Sequence, residues 1–200
     1  MLFRSAFYHV NTMNITPVTD RLFQVTDLLP QTLVNKLLAK DWKTANWHKQ
    51  EGQFDWLRRA LITDEDPVLV EVNEYIATLQ PVISDVCGIK FQYPINRGNT
   101  VWWVDEPGFT VGTHTDGELR STMQIYWVSP TEKLGTFFSE FKDCKPYKKF
   151  IPTPNTGYIM LNGPRPDGSQ PLLWHGMLDP VPAGTFRVSS YTTFGPYTDK

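Results

Sequence analysis

The spacing of apolar residues predicts two helices in the first ninety positions of the chain. In LPQTLVNKLLAKDW the apolar residues recur every three or four positions, which is the period of a helix with one buried face. The pattern is clearer in DPVLVEVNEYIATLQPVISDVCG, where Asp66 can cap the first turn and Pro67 suits the first helical position. Pro81 is expected to kink this helix, and Gly88 is suited to ending it in a left-handed conformation.

After Gly88 the pattern changes to an alternation of apolar and polar residues, which is typical of strands with one buried face. In IKFQYPI we expect Ile89, Phe91, Tyr93 and Ile95 to lie on one side of a strand. Further short strands are predicted at TVWWV, GFTVGTHTD, TMQIYWV, GTFFSEF, GYIML, PLLWHGML and GTFRVSSYTTF, with turn-forming stretches between them. About eight short antiparallel strands without intervening helices predict a β-sandwich or jelly roll.

The organisation of the chain predicts a single domain. Its 200 residues show no internal repeat, low-complexity tract or linker. We expect helical support over about residues 1–88 and a mainly β, jelly-roll core over about residues 89–195. Aromatic residues make up 14% of the chain, which suits a β-rich core and leaves some side chains to line a pocket.

Charge and cysteine content argue against several classes of protein. The net charge of −2 offers no basic field for a nucleic-acid backbone, so no nucleic-acid partner is expected. The two cysteines, Cys87 and Cys144, form no CxxC motif, which argues against a disulfide scaffold or a thiolate zinc site. No apolar run approaches the roughly 18 residues of a membrane span, and no signal-peptide pattern is recognised. We therefore expect no membrane association and a cytoplasmic location.

The first candidates for functional residues are a histidine and an aspartate in VGTHTDGELR. His114 and Asp116 are two positions apart on an extended chain, so their side chains point to the same side. His9 and His48 lie in irregular or polar stretches, where surface or packing roles are expected, whereas His175 lies in the apolar strand PLLWHGML. Two histidines and one carboxylate in this arrangement match the facial triad of non-haem Fe(II) sites, which leaves further coordination positions open.

The strand GTFRVSSYTTF adds a second set of polar side chains. Arg187 and Ser189 share one face of it, and Val188 lies on the other, apolar face. A buried arginine needs a carboxylate partner, and its planar guanidinium group suits a dicarboxylate cosubstrate, to which Ser189 can also donate a hydrogen bond. A solvated arginine on an exposed sheet face is the alternative, and the upstream metal-binding pattern argues against it.

The ordered set HTD, WHGM and FRVSS in a β-rich chain resembles the Fe(II)- and 2-oxoglutarate-dependent dioxygenases, especially their prolyl-4-hydroxylase-like branch. WWVDEPGFTVGTHTD, GTFF and PNTGYIMLNG also resemble stretches of that family, and the similarity covers about residues 85–195. The resemblance implies the double-stranded β-helix, a form of jelly roll, with the metal at its open end between two sheets. It also implies hydroxylation of a substrate C–H bond, coupled to conversion of 2-oxoglutarate and O2 to succinate and CO2.

The resemblance implies a role for each residue of the two sets. His114, Asp116 and His175 would bind Fe(II), and Arg187 would bind the distal carboxylate of 2-oxoglutarate with help from Ser189. Asp116 favours hydroxylation, because related halogenases have a small residue at this position so that chloride can bind the iron. Ascorbate is the implied candidate reductant.

Several points stay open at the level of the sequence. Relatives place a tyrosine beside the cosubstrate, and MQIYWV offers Tyr126 or Trp127 on opposite faces, of which Tyr126 is the candidate. The substrate is a prolyl residue of a peptide or protein by resemblance, or a free amino acid. A cupin-like metal-binding jelly roll without oxygenase activity is the main alternative, although cupins use more histidines. A non-catalytic interaction domain is the other.

Three stretches are candidates for the mouth of the pocket. They are QEGQFDWLRR around Trp56, INRGNTVWW, and the loop NGPRPDGSQP before the second histidine. Acidic residues near the HTD motif would favour a cationic substrate if they faced the pocket, although a solvated surface is the simpler expectation. These residues are Asp105, Glu106 and Glu118.

Overall fold

A computed structural model describes residues 13–49, 57–61, 63–116, 120–162 and 173–200 of the chain. The first elements are β1 (Asn14–Pro17), β2 (Leu22–Thr26), α1 (Gln31–Leu38), β3 (Trp47–Lys49), β4 (Arg58–Leu61), α2 (Pro67–Thr78), α3 (Gln80–Cys87) and β5 (Ile89–Phe91). The later elements are β6 (Thr100–Asp105), β7 (Val111–His114), β8 (Arg120–Val128), β9 (Phe137–Ser139), β10 (Lys148–Lys149), β11 (Thr156–Asn162), β12 (Trp174–Met177), β13 (Arg187–Gly195) and β14 (Tyr197–Asp199).

The strands form two main antiparallel sheets. The large sheet has the order β1-β2-β11-β8-β13-β6-β4-β3, and the small sheet has the order β10-β9-β12-β7. The two sheets contact each other through aromatic side chains, since the ring centroids of Phe138 on β9 and Tyr158 on β11 lie 5.0 Å apart. Strand β14 pairs separately with β5. This arrangement is the jelly roll that the sequence predicted.

The large sheet is covered by the helices on one face and by the small sheet on the other. On the helix side, Trp102 stacks between Trp42 and Trp127, with centroid distances of 5.6 Å to each. The buried face of α2 packs into the same cluster, which includes Val72 and Ile76 with no exposed surface. Because strand side chains alternate, neighbouring residues of these strands point to the opposite face, where the polar site lies.

The predicted ends of the second helix are confirmed, but its middle is interrupted. The Asp66 carboxylate accepts hydrogen bonds from the first-turn amides, and Gly88 ends α3 with a φ of 67°. Where one kinked helix was expected, α2 ends at Thr78 and α3 begins at Gln80. Pro81 explains the break, because proline offers no amide hydrogen and its ring clashes with the carbonyl group of Ala77, four residues earlier. No helix in the described ranges is long and apolar enough to cross a membrane.

Two expectations about strands were wrong. IKFQYPI forms only the three-residue β5, and Tyr93 is 67% exposed instead of lying on a buried face. Strands β1 to β4 were not predicted, yet they lie in the region expected to be helical support and join the large sheet. These strands have three to five residues each, which is too short for the alternation of side chains to stand out in the sequence.

One glycine allows a close approach next to the site. A Cβ atom added at Gly135 would lie 1.6 Å from the carbonyl oxygen of Phe150, so no larger residue fits this backbone path. The neighbours of Gly135 both contact the polar site from the small-sheet side, Leu134 through its carbonyl oxygen and Thr136 through its side chain.

Candidate functional site

Three potential metal ligands lie together at the edge of the small sheet. Strands β7 and β12 pair His114 directly with His175, and the two imidazole centroids are 4.3 Å apart. Oδ1 of Asp116 lies 3.3 Å from Nε2 of His114 and 3.6 Å from Nε2 of His175. One ligand atom from each residue falls within 4.8 Å of the others. The structure thus brings together the three residues that the sequence singled out.

Backbone carbonyl groups orient both imidazole rings. Nδ1 of His114 lies 2.8 Å from the oxygen of Gly112, and Nδ1 of His175 lies 2.9 Å from the oxygen of Leu173. A carbonyl oxygen only accepts, so each Nδ1 carries the hydrogen and donates it. In the neutral rings this leaves the lone pair on Nε2, which faces Asp116 and is available to a metal.

The three groups have different acid–base properties. The hydrogen bond with Asp116 raises the pKa of His114, whereas burial lowers the pKa of His175. Burial also opposes ionisation of Asp116, but the hydrogen bond from His114 and the other polar neighbours outweigh it and lower the pKa of this carboxyl group. The ionised carboxylate of Asp116 and the neutral imidazole of His175 are therefore favoured, whereas a metal that binds His114 would have to displace a proton from it.

Tyr191 on β13 connects the large sheet to this group. Its hydroxyl donates a hydrogen bond of 2.8 Å to Oδ2 of Asp116. The other carboxylate oxygen, Oδ1, is the one that lies near the two histidines. The phenol therefore holds one oxygen of Asp116 and leaves the other directed at the possible metal position. Tyr191 lies two positions after Ser189 on the face that was expected to be polar, but its contact with Asp116 was not predicted.

Arg187 lies on the same face of β13 and is 1% exposed. Its Nε donates to Oδ2 of Asp105 at 2.7 Å, its Nη2 lies 2.5 Å from the same oxygen, and its Nη1 donates to the carbonyl oxygen of Leu134 at 2.7 Å. A guanidinium group has five N–H donors, so two remain for a ligand. The sequence predicted a buried arginine here but not that it would already be paired with a carboxylate of the protein.

Asp105 also binds a second arginine, on the next strand of the sheet. The register pairs Asp105 of β6 with Arg58 of β4 on one side and with Arg187 of β13 on the other. Arg58 contacts both carboxylate oxygens, through Nε to Oδ1 at 2.5 Å and Nη2 to Oδ2 at 3.1 Å. Burial opposes ionisation of Asp105, but the two guanidinium charges outweigh it and lower the pKa of the carboxyl group.

The expectation that Asp105 lies on a solvated surface or attracts a cationic substrate was wrong. Asp105 has no exposed surface, and its charge is already compensated by two arginines of the protein. Glu106 pairs with Arg59 at 2.8 Å. Strand pairing explains the difference, because it brings three residues that are distant in sequence to neighbouring positions of one sheet.

Further polar side chains continue the site beyond Arg187. Ser189 is fully buried, and its hydroxyl oxygen accepts a hydrogen bond of 3.1 Å from Gln124. The hydroxyl of Tyr126 donates to Thr136 at 2.9 Å. The Cζ atom of Arg187 lies 6.0 Å from the centroid of the Tyr126 ring. Tyr158 joins the same network.

The structure decides between the two aromatic candidates on β8. Tyr126 faces the small sheet and Arg187, whereas Trp127 points to the helix side and donates to Ser190 at 2.9 Å. Trp127 also stacks against Trp102 in the helix-side cluster. Tyr126 is therefore the member of the pair that lies on the site face.

Sequence reasoning missed Arg58, Gln124 and Tyr158 as parts of the site. Gln124 and Tyr158 lie in correctly predicted strands. Each points to the face opposite its apolar sequence neighbours, Ile125 and Ile159, and this alternation could have identified them as residues of the site face. Arg58 had no such signal, because its strand of four residues was not predicted.

Of the three stretches expected at the pocket mouth, INRGNTVWW lies wholly within the described residues. The segment INRGN packs against α2, where Arg97 lies 3.6 Å from Glu74, and is therefore on the helix side of the large sheet. Trp56, Glu118, His9 and most of the loop NGPRPDGSQP lie outside the described residues, as does the side chain of His48.

The two-sheet fold is shared with solved structures of prolyl hydroxylases and of other proteins crystallised with 2-oxoglutarate. No protein-family model matches the sequence, and no curated protein matches it. The viral collagen prolyl hydroxylase vCPH from Paramecium Bursaria Chlorella virus-1, solved as its 2OG complex, is 17% identical. The match has a TM-score of 0.54 and covers 88% of this chain and 97% of that chain.

Two further solved structures agree with this likeness. A Pseudomonas putida prolyl-4-hydroxylase is 15% identical, with a TM-score of 0.55 over 88% of this chain and 92% of its own. HygX from Streptomyces hygroscopicus, with nickel and 2-oxoglutarate bound, is 8% identical, with a TM-score of 0.55 over 88% and 82% of the two chains. At these identities the similarity establishes the fold alone.

Proposed function

We propose that this protein is an Fe(II)- and 2-oxoglutarate-dependent dioxygenase that hydroxylates a C–H bond of its substrate. The observation that carries the proposal is the pairing of two sites inside one jelly roll. A group of two imidazoles and a carboxylate lies at the sheet edge, and a buried arginine with two remaining donors lies on the facing strand. Neither site alone would distinguish an oxygenase from another metal-binding jelly roll.

In this proposal the metal is held by Nε2 of His114, Nε2 of His175 and one oxygen of Asp116. Nitrogen and oxygen donors of this kind suit Fe(II), and three protein ligands leave open positions for small molecules. Bound Fe(II) would supply the activation of O2, which these side chains cannot perform by themselves.

The cosubstrate is assigned to Arg187 and its neighbours. The two remaining N–H donors of Arg187 suit the distal carboxylate of 2-oxoglutarate. The hydroxyl hydrogen of Ser189 is not used by its contact with Gln124, since Ser189 is the acceptor there, so it can be donated to the same carboxylate. The structures of vCPH and HygX contain 2-oxoglutarate, which supports this assignment.

Apolar side chains beside the triad would exclude water from the reaction. The ring of Phe138 stacks on that of His175 with a centroid distance of 5.4 Å. Leu22, Met160 and Leu173 belong to the same buried cluster, which lies between the sheets. Excluding water strengthens the electrostatic contacts in the site and prevents side reactions of reactive species.

For the substrate we propose a prolyl residue of a peptide or protein, because two of the structural neighbours are prolyl hydroxylases. A free amino acid is the alternative of the same reaction class. Peptide and amino-acid pools incubated with the protein, Fe(II), 2-oxoglutarate and ascorbate should contain products heavier by one oxygen atom. Mass spectrometry with and without 2-oxoglutarate identifies them.

The test of the reaction class is succinate formation. The protein with Fe(II), 2-oxoglutarate, O2 and ascorbate is expected to release succinate, and His114→Ala and His175→Ala should abolish this release while the fold persists. Asp116→Ala is also expected to lose hydroxylation. Metal binding without any succinate, with every substrate pool tried, would instead favour the cupin-like alternative.

A further inference from the structure

Two arginines share one buried carboxylate on the inner face of the large sheet. Arg58 binds both oxygens of Asp105, whereas Arg187 binds only Oδ2. The guanidinium group of Arg58 is held between aromatic rings, with its Cζ atom 4.3 Å from the centroid of Phe109 and 5.5 Å from that of Trp103. Arg58 is therefore fixed in place beside Asp105.

The charges of this cluster do not cancel. Among Arg58, Arg187 and Asp105, two guanidinium groups stand against one carboxylate, so these three buried side chains carry one positive charge in excess. If Arg58 were absent, Asp105 would neutralise Arg187 alone, and Arg187 would have little attraction left for an anionic ligand. A buried uncompensated charge is costly, and an anion that pairs with it removes the cost.

We propose that Arg58 is a specificity-determining residue that makes the site select dicarboxylate 2-oxo acids over monocarboxylate ones. By compensating Asp105, it leaves the charge of Arg187 available for the distal carboxylate of the cosubstrate. The inference rests on the proposed function. Arg58 acts here through Asp105 and is a positioning residue.

The test compares the binding of 2-oxoglutarate and of pyruvate, which lacks the distal carboxylate. Calorimetric titration of the Fe(II)-loaded protein without O2 gives both dissociation constants. Arg58→Gln is expected to raise the dissociation constant of 2-oxoglutarate by about 10- to 100-fold, because the charge of Asp105 then loses one of its two compensating arginines. The dissociation constant of pyruvate is expected to stay unchanged. Arg97→Gln removes the same charge at an exposed position and should change neither constant.

A double variant separates the charge effect from a merely structural one. In Arg58→Gln combined with Asp105→Asn, both partners become neutral, and Arg187 keeps its charge. The preference of the double variant for 2-oxoglutarate over pyruvate is expected to return towards that of the parent protein. Arg58→Lys, which keeps the charge but loses the planar fork, should retain most of the preference.

Three results would overturn the inference while leaving the proposed function intact. They are an unchanged affinity for 2-oxoglutarate in Arg58→Gln, an equal loss for both acids, and a double variant that does not recover. If Arg58→Gln does not fold, the double variant decides the question. A parent-like preference of this variant for 2-oxoglutarate over pyruvate supports the inference, and a lost preference contradicts it. A parent protein that binds no 2-oxoglutarate at all would instead reject the proposed function.

Discussion

At the scale of single residues, Arg187 is the side chain that we propose to bind the distal carboxylate of the cosubstrate. It is buried, and three of its donors are already used by Asp105 and Leu134. The contacts to Asp105 fix the plane of the guanidinium group, which leaves the two remaining donors in a defined direction. Fixing a planar group in this way reduces the entropy lost when a carboxylate binds.

Replacing Arg187 by alanine tests its role. Leaving one partner of a buried charge pair alone costs about 3–5 kcal/mol, so 2-oxoglutarate should bind about two to three orders of magnitude more weakly. Asp105 keeps Arg58 as a partner, so we expect the variant to fold. Iron affinity should stay close to that of the parent, because Arg187 is not a ligand. Titration with 2-oxoglutarate checks this, and an unchanged constant would contradict the assignment.

Tyr191 offers a second prediction at this scale. Its hydroxyl binds Oδ2 of Asp116, and removing such an outer partner of a metal ligand typically lowers metal affinity by about 10- to 100-fold. Tyr191→Phe keeps the ring and should therefore keep the fold. Titration with Fe(II) measures the effect, and Tyr93→Phe at an exposed position serves as the control. Equal metal affinities in the two variants would show that Tyr191 does not orient Asp116.

At the scale of elements, the site depends mainly on the pairing of strands, and Asp116 follows shortly after the end of β7. Antiparallel pairing of β7 with β12 puts the two histidines opposite each other. The neighbouring strands β4, β6 and β13 bring Arg58, Asp105 and Arg187 into one row. The helices support this arrangement from outside, since α2 covers the opposite face of the large sheet.

The contribution of α2 can be measured separately from the chemistry. Asp66 caps this helix by accepting hydrogen bonds from Val68 and Leu69, at 3.0 Å and 3.3 Å. Losing such a cap costs about 1 kcal/mol, and Asp66→Ala also loses the ion pair with Lys40, so it should lower the free energy of unfolding by at least that amount. Asp64→Ala, at an exposed position outside the helix, is the control. Urea denaturation gives both values, and a cost equal to that of the control would mean that the cap is unimportant.

At the scale of the whole molecule, the three potential metal ligands connect the two sheets. His114 and His175 belong to the small sheet, and Asp116 is bound by Tyr191 of the large sheet. A metal held by all three residues would therefore link both halves of the jelly roll. Such a ligand binds the folded protein and not the unfolded chain, which raises the free energy of unfolding.

Metal-dependent stability is the prediction at this scale. Fe(II) or Mn(II) at about 100 times its dissociation constant should stabilise the fold by about 2.7 kcal/mol. For a chain of this size this raises the midpoint of thermal unfolding by about 5–10 °C. Differential scanning calorimetry checks the shift, which chelation should reverse and His175→Ala should not show. A shift of equal size in His175→Ala would place the metal elsewhere.

The sequence by itself determined the features that depend on local spacing. The change of period after Gly88 indicated the helices before it and the β-rich part of the jelly roll after it, although not β1 to β4, and the helix ends at Asp66 and Gly88 followed from capping chemistry. The two-residue spacing of His114 and Asp116 predicted side chains on the same side of the chain, and these residues do lie together in the structure. Such features follow from short-range geometry, which a few neighbouring residues define.

Only the tertiary structure decided which distant residues meet. The pairing of Arg58 with Asp105 joins residues 47 positions apart, and that of Arg187 with Asp105 spans 82 positions. The choice of Tyr126 over Trp127 likewise depends on which face of β8 turns towards the small sheet. Strand order and register arise from packing the whole core at once, and alternation along one strand does not specify which strand lies beside it.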